Sequence, residues 1–491
     1  MSTPDASGAF SIAAAAVSKR GAGLHNLYRS LSDVQANVSC ACAGAASNRA
    51  AMMWQIAPAA MLSAEMESPR MRNVTGVLII VLLAVSASIA APVKFGIDVL
   101  RDEHFQSLTG KRVGLVANPA SVDEHLTSTA TLFSQQKNFT LVSLFGPEHG
   151  IWGDEYAGDK VTDRTDPATK LPIYSLYGKT RKPTTRSVLP IDTLVFDLQD
   201  IGSRSYTYLS TLKICMEACQ QFNIEMIVLD RPNPLGGVRI EGPQLREGYE
   251  SFVGYIPVPY VHGMTIGELA MFVREKYFPQ YKKLKVVRMQ GWTRDMVWRD
   301  TDRAWVPTSP HIPKMETCAA YAATGILGEL YAVNIGVGYT LPFEMCGAPY
   351  LDGEALANAM PKQRGVVYRP AHFKPFYGTF KGEKCEGVQV HIDPKAAENL
   401  VEINYRLARV IGAPMLFRVT EQVFQKQENE AAKKAKREPK VVERYKMFDK
   451  VSGSDEPRKW LLSEKPLEPL FEQWRQECAA FGQMRRKYLL Y

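Results

Sequence analysis

A glutamate and a histidine stand side by side just after an apolar run of the chain. The run Phe139–Phe145 predicts a buried strand, which must end there because Pro147 has no N–H to donate to a neighbouring strand. Glu148 and His149 then begin a loop whose glycines permit tight backbone paths. Two groups that transfer protons therefore lie at the carboxyl end of a strand, the edge at which open α/β sheets bind ligands. The same residues also fit a surface turn that carries two polar side chains.

Polar clusters follow three other apolar runs in the same way. They are Asn118-Pro119 after KRVGLVA, Asp197-Leu198-Gln199-Asp200 at the end of LVFDL, and Asp230-Arg231-Pro232-Asn233 after EMIVL. Because the carboxyl ends of parallel strands meet at one edge of a sheet, four such clusters predict a single site there.

Short apolar runs alternate with helical stretches over the first half of the chain. The predicted strands are Lys111–Ala117, Phe139–Phe145, Leu194–Leu198 and Glu225–Leu229, and the predicted helices are Ser128–Gln136, Tyr206–Phe222 and a capped helix that starts after Thr265. This alternation predicts an α/β fold with a Rossmann-like, doubly wound parallel sheet. No GxGxxG sequence opens a helix after a strand, so the nucleotide fingerprint of that fold is missing.

The inventory of side chains restricts the reaction class. The sequence has no GxSxG elbow, no CxxC pair and no HExxH motif, so acyl transfer and a zinc site have no support. Carboxylates, amides and aromatic rings remain, a set that suits a sugar, and two carboxyl groups suffice to cleave a glycosidic bond. A purely structural role for these residues stays open at this point.

The bulk composition excludes other classes. The chain has 491 residues, 46% of them hydrophobic and 22% charged, which is typical of a globular protein with two domains. The net charge of +8 is modest, and no stripe of Lys and Arg alternates with aromatic residues, so we expect no nucleic-acid partner.

The N-terminal part carries a targeting signal at an unusual place. Residues 1–65 show no helical or strand period, whereas Arg70 and Arg72 precede the apolar run Val77–Val85, and Ser88-Ile89-Ala90 has small residues where a signal peptidase cleaves. We expect residues 66–91 to be a signal peptide, with translation starting at Met66 or Met71 and residues 1–65 a disordered or wrongly assigned extension. The mature protein would then be secreted or extracytoplasmic, without stable membrane insertion. The alternative is a single-pass membrane anchor.

Long ordered strings between Phe95 and Gly353 carry a family resemblance. The strings GPEHGIWGDEYAG, LPIYSLYGKTRKPT, FDLQDIGSRSYTYLSTL, VLDRPNPLGG, FVGYIPVPYVHGMTIGELA and PFEMCGAPYLDG resemble those of the exo-β-N-acetylmuramidase family. The resemblance implies a Rossmann-like catalytic domain, placed here at 92–300, and a smaller C-terminal α+β domain at 301–491 that completes a cleft. It also implies release of N-acetylmuramic acid from the non-reducing end of peptidoglycan fragments by carboxylate acid/base catalysis, without a cofactor or a metal.

The resemblance also assigns catalytic residues. Its PEHG string places a catalytic glutamate at Glu148, which we expect to act as the general acid, and its MEA string places a second one at Glu217. Glu217 lies opposite the apolar stripe of its predicted helix, so a solvated surface position is an open alternative. Asp200 and Asp230 are the other candidates for the second carboxylate, while Asp197 fits an internally paired strand residue.

Further polar residues are expected to bind the substrate. They are His149, Gln199, Asp200, Arg204, Tyr206, Asp230, Arg231, Asn233, His262 and Glu344. Arg231 suits the lactyl carboxylate of a muramic acid because a guanidinium matches that group in shape and charge, but it also suits a partner among the nearby aspartates. His262 fits a loop histidine that bonds to backbone equally well.

One segment departs from the family pattern. Where the family commonly has Gly-Arg-Gly before the PFE string, this chain reads Asn334-Ile335-Gly336-Val337-Gly338. The arginine is missing at Val337, so an anion contact from this loop is in doubt. A muramyl-glycan binding protein without catalysis, and a metal-dependent hydrolase, remain as alternatives.

Overall fold

The computed structural model describes residues 92–156, 158–441, 445–463 and 465–491. Its strands are β1 (Arg112–Ala117), β2 (Thr140–Gly146), β3 (Arg164–Thr165), β4 (Pro172–Ser175), β5 (Thr193–Asp197), β6 (Glu225–Leu229), β7 (Glu241–Gln244), β8 (Pro259–Val261), β9 (Leu284–Val287), β10 (Met345–Ala348), β11 (Val366–Phe373) and β12 (Cys385–Ile392).

The helices alternate with these strands in the first half and cluster at the C-terminus. They are α1 (Gly96–Asp102), α2 (Thr129–Ser134), α3 (Thr185–Val188), α4 (Tyr208–Phe222), α5 (Ile266–Tyr277), α6 (Glu316–Gly328), α7 (Gly353–Ala359), α8 (Leu400–Ile411), α9 (Ala413–Lys434), α10 (Lys446–Ser452), α11 (Glu456–Leu462) and α12 (Glu468–Met484). Short 3₁₀ turns lie at Gln106–Leu108, Trp298–Thr301 and Arg485–Tyr488.

The main sheet has seven strands in the order β3-β4-β2-β1-β5-β6-β9. All neighbouring pairs are parallel except β3 with β4. From β1 the chain first adds strands on the β2 side and then returns to add β5, β6 and β9 on the other side. The predicted Rossmann-like, doubly wound fold is therefore confirmed, with its switch point between the carboxyl ends of β1 and β5.

Both faces of the sheet are buried, which explains why its strands are continuous apolar runs. Along β1, Val113, Leu115 and Ala117 pack into the core on one face, and Val116 packs into the core on the other. The second of these cores continues into the C-terminal helices. There β10, β12 and β11 form a smaller antiparallel sheet, and α8 packs along α6.

Local capping sets the helix boundaries that the sequence predicted. The predicted capping box before α5 is present: the Glu268 N–H donates to Thr265 Oγ1 at 3.2 Å, and the Thr265 N–H donates to Glu268 Oε2 at 3.0 Å. At the start of α2 the Thr131 N–H donates to Ser128 Oγ at 3.1 Å. Asn223, in the left-handed conformation at φ 57°, ends α4.

The predicted N-terminal extension at 1–65 and the predicted signal peptide at 66–91 both lie outside the described residues. Within the part of the chain that the structure describes, no helix combines the length and the apolar character needed to cross a membrane. The predicted division of the chain near residue 300 stays a prediction.

A buried ion pair joins the carboxyl ends of two central strands. The Arg231 Nε donates to Asp197 Oδ1 at 2.6 Å and its Nη2 donates to Asp197 Oδ2 at 3.0 Å. Thr129 Oγ1 donates to the same carboxylate at 2.5 Å. The side chains of the pair are 2% and 0% exposed, so each charge depends on the other for its solvation.

We therefore expect Asp197→Ala to lower the free energy of unfolding by about 3–5 kcal/mol, because it leaves the Arg231 guanidinium buried without a counter-charge. Urea unfolding followed by circular dichroism measures this. The matched control is Asp192→Ala, which breaks the Arg112–Asp192 pair whose side chains are 55% and 45% exposed; it should cost less than about 1 kcal/mol. Equal losses in the two variants would contradict the central role of the buried pair.

Candidate active site

A cavity of about 300 Å³ lies beyond the carboxyl end of β2. One wall comes from the main sheet and holds Glu148 and His149, together with the residues just before α4. The opposite wall comes from α6 and the loop after it, and the 309–312 segment closes a third side. The cavity thus lies between the parallel sheet and the C-terminal half of the chain.

A tight turn presents Glu148 and His149 to this cavity. The Gly150 N–H donates to the Pro147 carbonyl at 2.9 Å, and His149 takes a φ of +71°, which is uncommon for a residue other than glycine. His149 Nδ1 lies 2.9 Å from the Glu155 carbonyl, which can only accept, so Nδ1 carries the proton and a neutral ring has Nε2 free to accept. The Gly158 N–H donates to Glu148 Oε1 at 3.1 Å. Both side chains are held by backbone groups and are only 7% exposed.

Hydroxyl groups line the floor between the two walls. Ser205 Oγ donates to the Tyr260 hydroxyl at 2.9 Å and lies 2.9 Å from the Tyr321 hydroxyl. The Tyr206 hydroxyl bonds to Thr308 Oγ1. Burial, followed by a neighbouring tyrosine (Tyr208 and Tyr260, respectively), raises the pKa of Tyr206 and Tyr321 well above the ordinary value. These phenols therefore stay neutral and can donate hydrogen bonds.

Aromatic rings lead from the cavity to the surface. His311 lines the cavity and its ring stacks on Tyr377 at 5.8 Å, and its Nε2 bonds to the Tyr377 hydroxyl. Tyr377 in turn contacts the exposed rings of Tyr156 and Phe376. Burial and then His149 lower the pKa of His311 to about 4, so this ring is neutral at physiological pH. Such rings offer flat apolar faces on which sugar rings pack.

The loop that departs from the family pattern forms part of the cavity wall. Asn334 Nδ2 donates to the carbonyls of Val337 at 3.0 Å and Thr379 at 2.8 Å, and its Oδ1 accepts from the Gly336 N–H at 2.7 Å. Val337 lines the cavity. No lysine or arginine is among the described residues that line it.

Comparison with known proteins identifies the family. The family model "Exo-beta-N-acetylmuramidase NamZ, N-terminal" matches residues 113–316, and the model of the C-terminal part of the same protein matches residues 319–491. The chain belongs to the NamZ family of exo-β-N-acetylmuramidases. The resemblance stated from the sequence is thereby confirmed, and with it the prediction of an enzyme of the glycoside hydrolase class.

Individual relatives agree with this membership. The chain is 37% identical over 403 residues to the peptidoglycan β-N-acetylmuramidase NamZ of Bacillus subtilis, covering 81% of this chain and 91% of that protein. Two crystal structures of DUF1343 family proteins from Bacteroides fragilis also match. Their TM-scores are 0.70 and 0.59 at 42% and 26% identity, and each match covers 82% of this chain and 99% of the other.

The structure brings only some of the predicted site residues of this NamZ family member into the cavity. Glu148, His149 and Tyr206 line it. Gln199 and Asn233 are buried and bond to backbone instead: Gln199 Nε2 donates to the Asp200 and Pro232 carbonyls, and Asn233 Nδ2 donates to the Met264 carbonyl at 3.1 Å. These two amides stabilise the loops that follow β5 and β6.

The two aspartates and the second histidine that were predicted to bind substrate are buried away from the cavity. His262 Nε2 lies 3.2 Å from Asp200 Oδ2, and its Nδ1 accepts from the Met264 N–H at 3.2 Å. Asp230 accepts hydrogen bonds from Thr265 Oγ1 at 2.8 Å and from the Tyr491 hydroxyl at 2.7 Å. None of these side chains lines the cavity, and their observed partners lie within the protein.

Both arginines that were predicted to bind substrate make their hydrogen bonds within the protein. Arg231 pairs with Asp197, the aspartate that the sequence placed on a strand, so the expected contact of Arg231 with a lactyl carboxylate has no free guanidinium to make it. Arg204 donates to the carbonyls of Pro243, Val258 and Val451 at 2.7–2.9 Å. Burial lowers the pKa of Arg204 to about 10.

The two remaining predicted glutamates lie elsewhere. Glu217, on α4, is 44% exposed at its side chain and pairs with Lys182 Nζ at 2.8 Å, in agreement with the alternative of a solvated helix face. Glu344 pairs with Lys314 Nζ at 2.8 Å and lines a different cavity of about 570 Å³ beside Trp298. Neither carboxylate is placed at the cavity that holds Glu148.

Sequence reasoning missed the residues that the C-terminal half contributes. His311, Tyr321 and Glu329 all line the cavity. Glu329 does carry a signal: it is the only charged residue between Glu316 and Glu344, so it interrupts a long uncharged stretch. Among the described residues, no cluster of three His, Cys, Asp or Glu side chains is arranged to hold a metal ion.

We expect Asn334→Ala to loosen the loop wall, because the change removes three hydrogen bonds from a side chain that is almost fully buried. Hydrogen–deuterium exchange should rise in residues 334–338 and 377–379, and the free energy of unfolding should fall by about 1–3 kcal/mol. Asn358→Ala, at an exposed position of α7, is the control and should change neither. Unaltered exchange in Asn334→Ala would show that the loop does not depend on this side chain.

Proposed function

We propose that this protein is an exo-acting glycoside hydrolase that releases N-acetylmuramic acid from the non-reducing end of peptidoglycan fragments. The observation that carries the proposal is the placement of Glu148, the glutamate of the PEHG string, in the wall of a cavity at the sheet edge. The Bacillus subtilis relative that covers most of this chain is a peptidoglycan β-N-acetylmuramidase, which supports the same substrate class.

The volume of the cavity supports action on a terminal sugar. Its volume of about 300 Å³ lies at the lower end of the usual range for small-molecule sites, about 300–1,000 Å³. A site of this size suits one sugar residue better than a long glycan. The rings of Tyr377, Tyr156 and Phe376 then lie outside the cavity, where they offer packing faces for the sugars that follow.

Glu148 is proposed as one of the two carboxyl groups that glycosidic cleavage requires. It touches the cavity and is held by the Gly158 N–H, so its position is set before substrate binds. His149 and the Tyr206 hydroxyl lie on the same wall and are proposed to bind sugar hydroxyl groups. Peptidoglycan-derived muramyl glycans are the proposed partner of the site.

We expect Glu148→Gln to lower turnover by about 10³-fold or more while the fold stays intact, because an amide of the same shape cannot transfer a proton. The assay is release of N-acetylmuramic acid from a β-linked chromogenic glycoside, with the N-acetylglucosamine glycoside alongside and with EDTA added in parallel. Retained activity would remove Glu148 from the mechanism. Binding of muramyl glycans without release by the native protein would favour the non-catalytic alternative, and loss of activity with EDTA would favour the metal-dependent one.

Arg181 is proposed to replace the cation that the loop at Val337 lacks. Its guanidinium lies over the rings of Phe252 at 4.2 Å and Tyr177 at 5.0 Å, and the side chain is exposed. Arg181 and Glu148 both act on the same phenol, Tyr177. Burial and then Glu148 raise the pKa of Tyr177, and Arg181 opposes that rise. Arg181 does not itself line the cavity, so the proposal requires the lactyl group to extend from the cavity towards this positive charge.

Arg181→Gln should lower kcat/KM for the muramic acid glycoside by about 10- to 100-fold, the effect of losing a charged hydrogen bond of about 1.5–3 kcal/mol. With the lactyl group esterified, native protein and variant should become equal. Arg186→Gln, at an exposed position of α3, is the control. An equal loss on the charged and the esterified substrate would refute the proposed carboxylate contact.

A further inference from the structure

Glu329 is a second glutamate in the lining of the cavity that holds Glu148. It directly follows the last residue of α6 and lines the same cavity from the C-terminal half of the chain. The residue is partly buried, and its carboxyl group makes no hydrogen bond or ion pair with any residue that the structure describes. Two carboxyl groups from different halves of the chain therefore line one cavity.

The absence of a partner sets Glu329 apart from other shielded glutamates of the fold. Glu268 pairs with Arg294 at 2.7 Å, and Glu402 pairs with Arg406 at 2.9 Å and with Arg475 at 2.8 Å. A carboxyl group that only stabilised the fold would be expected to have such a cation or donor, because burial of an unpaired charge is costly. Glu329 has neither, which points to a ligand as its partner.

Both carboxyl groups influence the pKa of the same phenol, Tyr321. The pKa of Tyr321 is raised by burial first, and both Glu329 and Glu148 add to the increase. Glu329 also raises the pKa of Tyr260, whose hydroxyl accepts from Ser205. Glu148 and Glu329 thus line the same cavity as the hydroxyl groups of Ser205 and Tyr321.

The surroundings of Glu329 favour its protonated form. Burial raises the pKa of this carboxyl group to about 7. The residue also sits at the C-terminal end of α6, where the negative end of the helix dipole disfavours a second negative charge. A substantial fraction of Glu329 therefore carries a proton near neutral pH.

We infer that Glu329 is the second carboxyl group of the glycosidase pair and the one that protonates the leaving oxygen. This inference rests on the proposed function. It assigns to Glu329 the protonation of the leaving oxygen that the sequence led us to expect of Glu148. Glu148 is then the carboxylate that accepts a proton from the attacking water. Glu217, on the solvated face of α4, has no part in it.

The step balances with water as the only co-reactant. The bond between the anomeric carbon and the leaving oxygen breaks, the electron pair stays with that oxygen, and the proton of Glu329 passes to it. The oxygen of water bonds to the anomeric carbon, and the Glu148 carboxylate accepts the proton that this water releases. Proton exchange with solvent then returns Glu148 to its carboxylate form and Glu329 to its protonated form. The products are N-acetylmuramic acid and a glycan that is one residue shorter.

The test compares two substrates whose leaving groups differ in their need for a proton. One is the disaccharide in which N-acetylmuramic acid is β-linked to N-acetylglucosamine, and the other is the 2,4-dinitrophenyl glycoside of N-acetylmuramic acid. Glu329→Gln should lower kcat on the disaccharide by about 10²- to 10⁴-fold. On the aryl glycoside it should lose less than about tenfold, because dinitrophenolate leaves without protonation. Glu148→Gln should lose activity on both, and Glu316→Gln, at the other end of α6, should lose it on neither.

The pH profile gives a second readout that a structural role would not change. For the native enzyme on the disaccharide, kcat/KM should fall as the pH rises through about 7, because Glu329 then loses its proton. Glu329→Asp keeps an acid and should keep such a fall, whereas Glu329→Gln on the aryl glycoside should not show it. Equal losses of Glu329→Gln on the two substrates, or no loss on either, would overturn the inference. Failure of the native protein to release sugar from either substrate would instead overturn the proposed function.

Discussion

The backbone carbonyl of Thr308 is the point at which the sheet edge and the loop above it are joined. It accepts hydrogen bonds from Asn118 Nδ2 at 2.9 Å and from the Tyr208 hydroxyl at 2.7 Å, while the Thr308 hydroxyl bonds to Tyr206. These contacts connect the end of β1 and the start of α4 to the segment that carries His311. A parallel sheet alone leaves its carboxyl edge open to solvent. The cavity exists because this segment and α6 cover that edge, and the hydrogen bonds at Thr308 hold the cover in place.

The order of the parallel strands explains how distant parts of the sequence reach one cavity. The chain adds strands to both sides of β1, so the connections after β1 and β5 lead to opposite sides of the sheet and leave room at the switch point between them. Glu148 enters from the loop after β2, and Ser205 and Tyr206 enter from the segment between β5 and α4. The C-terminal half supplies Tyr321 from α6 and Glu329 from the position directly after that helix. The site thus depends on tertiary packing between the two halves that the family models match separately.

The sequence predicted much of the fold because its signals are local. Continuous apolar runs marked β1, β2, β5 and β6, the Thr265 capping box marked the start of α5, and Pro147 marked the end of β2. The position of Glu148 at the sheet edge followed from the same signals. The partners of buried polar residues did not follow, because each is set by an element distant along the chain. From the sequence we expected Arg231 and His262 to bind substrate, yet Arg231 pairs with Asp197 and His262 lies beside Asp200. Glu329 was missed because only the fold brings the end of α6 close to the end of β2.

The account can be tested most directly by a crystal structure of the Glu148→Gln protein soaked with the disaccharide of N-acetylmuramic acid β-linked to N-acetylglucosamine. It predicts that the N-acetylmuramic acid ring occupies the cavity between residue 148 and Glu329, with the glycosidic oxygen within hydrogen-bond distance of the Glu329 carboxyl group and the second sugar towards Tyr377. Sugar bound instead in the 570 Å³ cavity beside Lys314 and Glu344 would contradict it, because that cavity holds neither carboxyl group of the proposed pair.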